Sequence, residues 1–148
     1  MRANQMQKLN RKGNTMASRI AAQLYTVRDF IKTPAGIAET FRKVKEAGYD
    51  AVQLSALGPI EPEELATIAS DNGVQIIATH VPFQRLLDNL DAVAEEHSLW
   101  NCTHCAIGSM PGEYRGTGAA FAAFAKEAST VARRLQGVNL TFSYHNHS

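Results

Sequence analysis

Glu61-Pro62-Glu63-Glu64-Leu65-Ala66-Thr67-Ile68-Ala69-Ser70-Asp71-Asn72-Gly73-Val74-Gln75-Ile76-Ile77-Ala78-Thr79-His80-Val81-Pro82 contains one whole structural module. Leu65, Ile68 and Ala69 recur at helical spacing and share a face, so a helix opens near Glu61 and buries them. Gly73 ends that helix. Val74 to Thr79 then reads as a short buried strand, with His80 just past its end and Pro82 holding the chain extended. Helix, glycine, strand and a polar residue at the strand's end make one period of a βα repeat.

The same period extends in both directions. Upstream, a strand over Ile20 to Thr26 precedes a helix with Thr33 as N-cap, Pro34 at its first position and Ile37, Phe41 and Val44 on one face. Gly48 ends it, and the second strand runs from Ala51 to Ser55. Downstream, Leu86, Leu87, Leu90, Val93 and Ala94 space a third helical stretch from Leu86 to His97, followed by a fourth strand from Thr103 to Ile107. Gly112 to Gly118 reads as a loop. A fourth helix, capped by Thr117, carries Phe121, Phe124, Ala125, Ala128, Ala132 and Leu135. Gly137 releases a fifth strand, Val138 to Tyr144, before His145, Asn146, His147 and Ser148.

Strand starts at 20, 51, 74, 103 and 138 lie 31, 23, 29 and 35 residues apart. That is close to the ~30 residues per unit of an eight-unit barrel of ~250 residues. The expectation is an α/β fold, a partial (β/α) TIM barrel of about four and a half βα units with parallel strands. An open doubly wound sheet uses the same units and is the rival. Gln23 and Gln53 lean toward the barrel: mid-strand amides suit a ligand-facing lumen better than a sheet covered on both faces.

The totals narrow the function. Of 148 residues, 45% are hydrophobic and 20% charged, enough for one core. A net charge of +1 argues against a nucleic-acid groove or an anionic membrane partner, leaving a small molecule as the expected ligand. No apolar run approaches the roughly 20 residues of a membrane helix, and no secretory h-region follows the start, so a cytoplasmic location is expected. Residues 1–17 hold Arg2, Lys8, Arg11 and Lys12, no acid and no apolar periodicity. They read as a disordered leader, with Met16 an alternative start.

In parallel α/β folds the site forms at the C-terminal ends of the strands. There lie His80, and His145 with His147, whose i, i+2 spacing on a strand sends both rings to one side. Such imidazoles serve as metal ligands or as hydrogen-bonding contacts to substrate, and the pattern leaves both open. Tyr25, Arg28 and Asp29 follow the first strand; Arg28 can hold a phosphate or carboxylate, or pair with Asp29 at the surface. Cys102 and Cys105 project to opposite faces of a strand with no second CxxC, so they read as buried structural thiols rather than half a zinc site. The glycines from Gly108 to Gly118 match no phosphate-binding fingerprint, and no serine nucleophile elbow occurs.

Three stretches together resemble the sugar phosphate isomerase/epimerase family with the xylose isomerase-like barrel. They are Gln23-Leu24-Tyr25-Thr26-Val27-Arg28-Asp29, Thr79-His80-Val81-Pro82 and Tyr144-His145-Asn146-His147. The resemblance implies that residues 18–148 are the N-terminal half of such a barrel. It implies a divalent-metal enzyme (Mn, Mg, Co or Zn) that moves a proton or hydride next to the carbonyl of a sugar or sugar phosphate. His145 and His147 match the family's histidine motif and stand as metal candidates, with Tyr25, Arg28, His80 and Asn146 as substrate contacts. The glutamate that typically follows the histidine motif is absent, as are ligands from later strands, so the metal site is not completable from this chain alone. The catalytic acid and base are unassigned. The alternatives are a metal-dependent phosphoester hydrolase of the apurinic-endonuclease-like barrel type, and a non-catalytic half-barrel that completes itself as a homodimer.

Overall fold

The computed structural model describes residues 20–147, so the expected leader at residues 1–17 lies outside the described residues. Five strands form one parallel sheet in the order β1-β2-β3-β4-β5. They are β1 (Ala22–Gln23), β2 (Ala51–Leu54), β3 (Gln75–His80), β4 (His104–Ile107) and β5 (Thr141–Tyr144). Helices α1 (Pro34–Glu46), α2 (Pro62–Asp71), α3 (Phe83–Asp88), α4 (Leu90–Leu99) and α5 (Gly118–Gly137) connect them. Sequential order separates the two architectures that periodicity left open. A doubly wound sheet reverses its strand order at a switch point, whereas successive right-handed crossovers without reversal place every helix on one face. The fold is a partial (β/α) barrel. No helix among the described residues is long and apolar enough to cross a membrane.

The caps read from sequence form as expected: Thr33 Oγ1 accepts from Gly36 N at 3.2 Å with Pro34 at the first helical position, and Thr117 Oγ1 accepts from Ala120 N at 3.1 Å. Four helix ends share one closing device. The N–H of Tyr49, Val74, Cys102 and Leu140 reaches back five residues to the carbonyl of Val44, Ala69, His97 and Leu135. The residue before each sits at positive φ: Gly48 at 91°, Gly73 at 60°, Asn101 at 52° and Asn139 at 61°. Gly137 was expected to release the fifth strand, but it lies inside α5 and Asn139 makes the turn, so β5 begins at Thr141 rather than Val138.

Three further elements differ from expectation. The first strand is cut to two residues because Leu24–Val27 winds into a 3₁₀ turn, with Thr26 Oγ1 donating to Gln23 O at 2.8 Å. The third helical stretch is two helices that break at Asn89, whose φ of −146° is extended. On α5 the buried residues are Phe124, Val131 and Leu135, while Phe121 and Ala125 are exposed. A straight helix meets the sheet along one line, and alanines beside that line lose little by facing water.

The core lies between sheet and helices. Ile37, Phe41, Val52, Leu54, Leu65 and Ile76 form one cluster; Leu86, Val93, Cys105, Ile107, Phe124, Val131 and Leu135 form another. Cys102 belongs to the first cluster and Cys105 to the second, both as free thiols. Burial raises both thiol pKa values, that of Cys105 to about 11, so neither is a reactive thiolate.

Pairing between β2 and β3 is interrupted once. Val52 sits opposite Ile76 but Gln53 sits opposite Ala78, so Ile77 is an extra residue, a bulge. Before the bulge, even-numbered β3 residues face the helices, as Ile76 does in the core. After it the parity reverses: Thr79 faces the helices and His80 the opposite side, level with Ala106 of β4.

Thr79, 2% exposed, meets the fully buried His97 of α4, Oγ1 to Nε2, at 2.7 Å. His97 Nδ1 lies 2.7 Å from Val93 O. A carbonyl only accepts, so Nδ1 carries a proton, and in the neutral ring Nε2 then accepts from the Thr79 hydroxyl. Burial lowers its pKa from the usual histidine value. The folded state therefore binds fewer protons than the unfolded chain, and stability is full above the unfolded pKa of about 6.5 and falls as pH drops below it. Urea unfolding at pH 7.5, 6.0 and 5.0 will show this loss, with a slope for this group of at most about 1.4 kcal/mol per pH unit. The slope will be shallower in His97→Gln. A wild-type stability that stays level across this range would show that His97 carries no such linkage.

Candidate functional site

The lumen side of the sheet leads up to a cleft at the strands' C-terminal ends, with a volume of about 960 Å³. The strand ends meet there: Gln23 at the end of β1 with Tyr25 beyond it, Ser55 after β2, His80 at the end of β3, Gly108 after β4, and His145, Asn146 and His147 after β5. His80 reaches the rim through the bulge in β3, and His145 is set by its own N–H donating to Ile107 O at 3.0 Å.

The imidazoles form a contiguous set. His80 Nδ1 lies 3.1 Å from Ser55 Oγ, and His80 Nε2 lies 3.4 Å from His145 Nδ1. The His145 and His147 rings stack with centroids 4.8 Å apart and planes 13° from parallel. His147 Nε2 donates to Gly108 O at 2.7 Å, which leaves Nδ1 as that ring's lone pair. Burial first, then the charges of His145 and His147, lower the pKa of His80, so it is neutral near pH 7. A neutral imidazole in this setting accepts a proton or donates one hydrogen bond, and the run Ser55–His80–His145 can alternate donor and acceptor along its length.

Of the residues singled out from sequence, Tyr25, His80, His145, Asn146 and His147 line this one cleft. Arg28 does not. Its guanidinium folds back 4.6 Å above the Tyr25 ring, and Nη1 donates to Tyr25 O at 3.0 Å. The surface pair with Asp29 is not among the ion pairs of the described residues; the 3₁₀ turn carries Arg28 over Tyr25 instead. Ser55, Gly108 and Arg115 also line the cleft and were not singled out. Ser55 stood at a strand end and could have been found by that rule. Gly108 and Arg115 gave no signal, because their roles come from chain segments distant in sequence.

Among the described residues no Asp or Glu lines the cleft, and no group of three or more His, Cys, Asp or Glu is placed to hold a metal ion. The residues present fit a divalent cation only in part: His145 and His147 offer imidazole nitrogens, and no carboxylate accompanies them.

No family profile and no curated protein sequence matches the chain. Solved structures do. A sugar phosphate isomerase/epimerase from Parabacteroides distasonis superposes with a TM-score of 0.69 at 22% identity, over 87% of this chain and 55% of that one. A xylose isomerase-like TIM barrel protein from Mycobacterium smegmatis, in complex with magnesium, gives 0.66 at 16% identity, over 85% and 54%. A family 2 AP endonuclease from Brucella melitensis gives 0.64 at 18% identity, over 85% and 54%. The chain thus spans about half the length of these barrels, and at such identities the likeness is one of fold.

The packing of Gly108 against His80 generates a test of the site. A Cβ at position 108 would stand 3.1 Å from His80 Nδ1, tighter than side chains normally approach. Gly108→Ala is expected to push the imidazole away from Ser55 at a cost of about 1–3 kcal/mol, the usual range for overpacking. A shifted His80 ring resonance in NMR, with an otherwise unchanged spectrum, is the expected readout. An unmoved His80 resonance would mean that Gly108 does not set the ring's position.

Proposed function

We propose that this chain is the N-terminal half of a sugar or sugar phosphate isomerase/epimerase barrel and contributes the imidazole side of its active site. One observation carries the reading: His80, His145 and His147 meet in a single cleft at the C-terminal ends of sequentially ordered parallel strands. Moving a proton next to a carbonyl needs a group that is neutral near pH 7 and within reach of the substrate. His80 meets the first condition through its lowered pKa and the second by lining the cleft. Ser55 holds its Nδ1 side, leaving the Nε2 side toward His145 and the cleft.

Tyr25 and Asn146 provide hydroxyl and amide groups suited to sugar hydroxyls, and His80 either joins them or exchanges the proton. His145 and His147 are the residues offered to a divalent cation. That donor set is incomplete, with no carboxylate among the described lining residues of the cleft. A cytoplasmic setting accords with the two free thiols.

The AP endonuclease neighbour keeps a phosphoester hydrolase in view. A duplex-binding rim needs many cations, whereas the net charge of this chain is +1. A self-completing half-barrel is the remaining alternative. Its β1 and β5 edges would pair with a second copy, and size-exclusion chromatography at two concentrations distinguishes that dimer from a monomer.

Titrating a ketopentose into the 148-residue chain while recording histidine ring resonances tests the main reading. Shifts are expected at His80, His145 and His147 and not at His97 or His104. Alanine at position 80 or 145 will weaken binding roughly tenfold, the size of one or two lost hydrogen bonds. Shifts spread over the surface, or none at the rim histidines, would overturn the sugar-site reading. With Mn²⁺ or Mg²⁺ added, the chain by itself is expected to give no isomerase turnover, and ordinary rates would refute the incomplete site.

A further inference from the structure

The loop between β4 and α5 carries Arg115, a cation that forms no ion pair among the described residues. Arg115 lines the cleft and is the one Lys or Arg among its described lining residues, which include no Asp or Glu. Its Nε and Nη2 both donate to Met110 O, at 3.0 and 2.6 Å. A carboxylate in that place would orient the guanidinium and neutralise it. A carbonyl orients it and leaves the positive charge in place. Among the described residues Arg115 forms no ion pair, and three of its five N–H groups are left to donate.

The loop that presents Arg115 is well anchored. Met110 is 6% exposed and belongs to the core. Tyr114 packs edge-on to Phe83 and tilted against Phe124, and its hydroxyl donates to Glu127 at 2.7 Å. That bond engages a nearby carboxylate of α5, and Glu113, on the loop itself, is exposed and does not line the cleft. A fixed guanidinium, uncompensated and sharing a cleft with three histidines, is an arrangement for an anion.

We propose that Arg115 is the specificity-determining residue of the cleft, taking the phosphate group of a sugar phosphate whose hydroxyl and carbonyl end lies against His80, His145 and His147. This rests on the isomerase/epimerase reading and deepens it by naming the substrate class. A phosphate monoester presents three terminal oxygens, which accept what the three remaining N–H groups donate. A neutral sugar gives Arg115 no charge to meet.

The test uses the full 148-residue chain with three probes: inorganic phosphate, a ketopentose 5-phosphate and the same ketopentose without phosphate. Affinities come from calorimetry, and the Arg115 Nε–H and histidine ring resonances locate each probe. The sugar phosphate is expected to bind tighter than either of the others and to shift both Arg115 and His80. Arg115→Met is expected to weaken the sugar phosphate roughly ten- to hundredfold, the range for a charge-assisted hydrogen bond, while leaving the neutral ketopentose unchanged. Arg115→Lys, which keeps the charge and loses the fork, will fall between. Equal affinity of wild type and Arg115→Met for the sugar phosphate overturns the assignment. So does an equal loss for both sugars in Arg115→Met, which would make Arg115 a structural tie of the loop. If inorganic phosphate binds tighter than the sugar phosphate, the site is for the free ion and the substrate assignment falls. If the neutral ketopentose binds at the histidines and Arg115→Met leaves the affinity for the sugar phosphate unchanged, this inference falls and the isomerase reading stands. Phosphate at Arg115 with no sugar at the histidines defeats that reading instead.

Discussion

The extra residue in β3 is the constraint on which the rest of the site depends. Strand side chains alternate between faces, so one inserted residue exchanges the faces of everything after it. Ile76, before the bulge, packs into the core beneath α1 and α2. Ile77 is the inserted residue, and from there Thr79 takes the helix side and His80 the lumen side. With regular pairing, His80 would point into the helices and Thr79 into the cleft. Bulges between parallel strands are rare, and this one lies two residues before Thr79 on the strand that supplies the central imidazole.

The two sides of the bulge do different work. Facing the helices, Thr79 ties β3 to α4 through His97, a buried and neutral ring whose nitrogens are both satisfied. Facing the cleft, His80 meets Ser55, His145 and the bare backbone of Gly108. A rigid back and a reactive front on adjacent residues hold a polar group at the rim without leaving an unpaired polar atom inside; among the described residues no buried side-chain N or O lacks a partner. The repeated helix endings contribute in the same way. Each returns the chain to the sheet in one geometry, which keeps the strand ends level enough for residues from five strands to share one cleft.

The fold alone does not select a reaction, because sugar isomerases and an AP endonuclease share it with this chain. The chemistry of the rim is more selective. It combines clustered imidazoles, one of them held neutral, with hydroxyl and amide groups and one guanidinium, and it has no carboxylate among the described residues. That set suits hydrogen bonding to a polyhydroxylated small molecule and charge pairing with an anionic group.

The sequence by itself determined the βα repeat, the Thr33 and Thr117 caps, the parallel framework and the strand-end placement of His80 and His145, because periodicity, capping and turn chemistry act between residues close along the chain. It also marked both cysteines as buried structural thiols, from their spacing and the lack of a second CxxC. Only the tertiary structure decided that the strands run in barrel order, that Ile77 is extra, that Arg28 turns back over Tyr25, and that Gly108 and Arg115 belong to the cleft. It likewise chose Val131 over Phe121 for the buried line of α5 and gave the final turn to Asn139 rather than Gly137. For the strand order, the extra residue and the cleft membership of Gly108 and Arg115, the physical reason is contact between segments far apart in sequence, where the register of one strand against the next fixes which atoms meet; Arg28 and Asn139 are instead set within single local turns whose form the side-chain pattern does not announce.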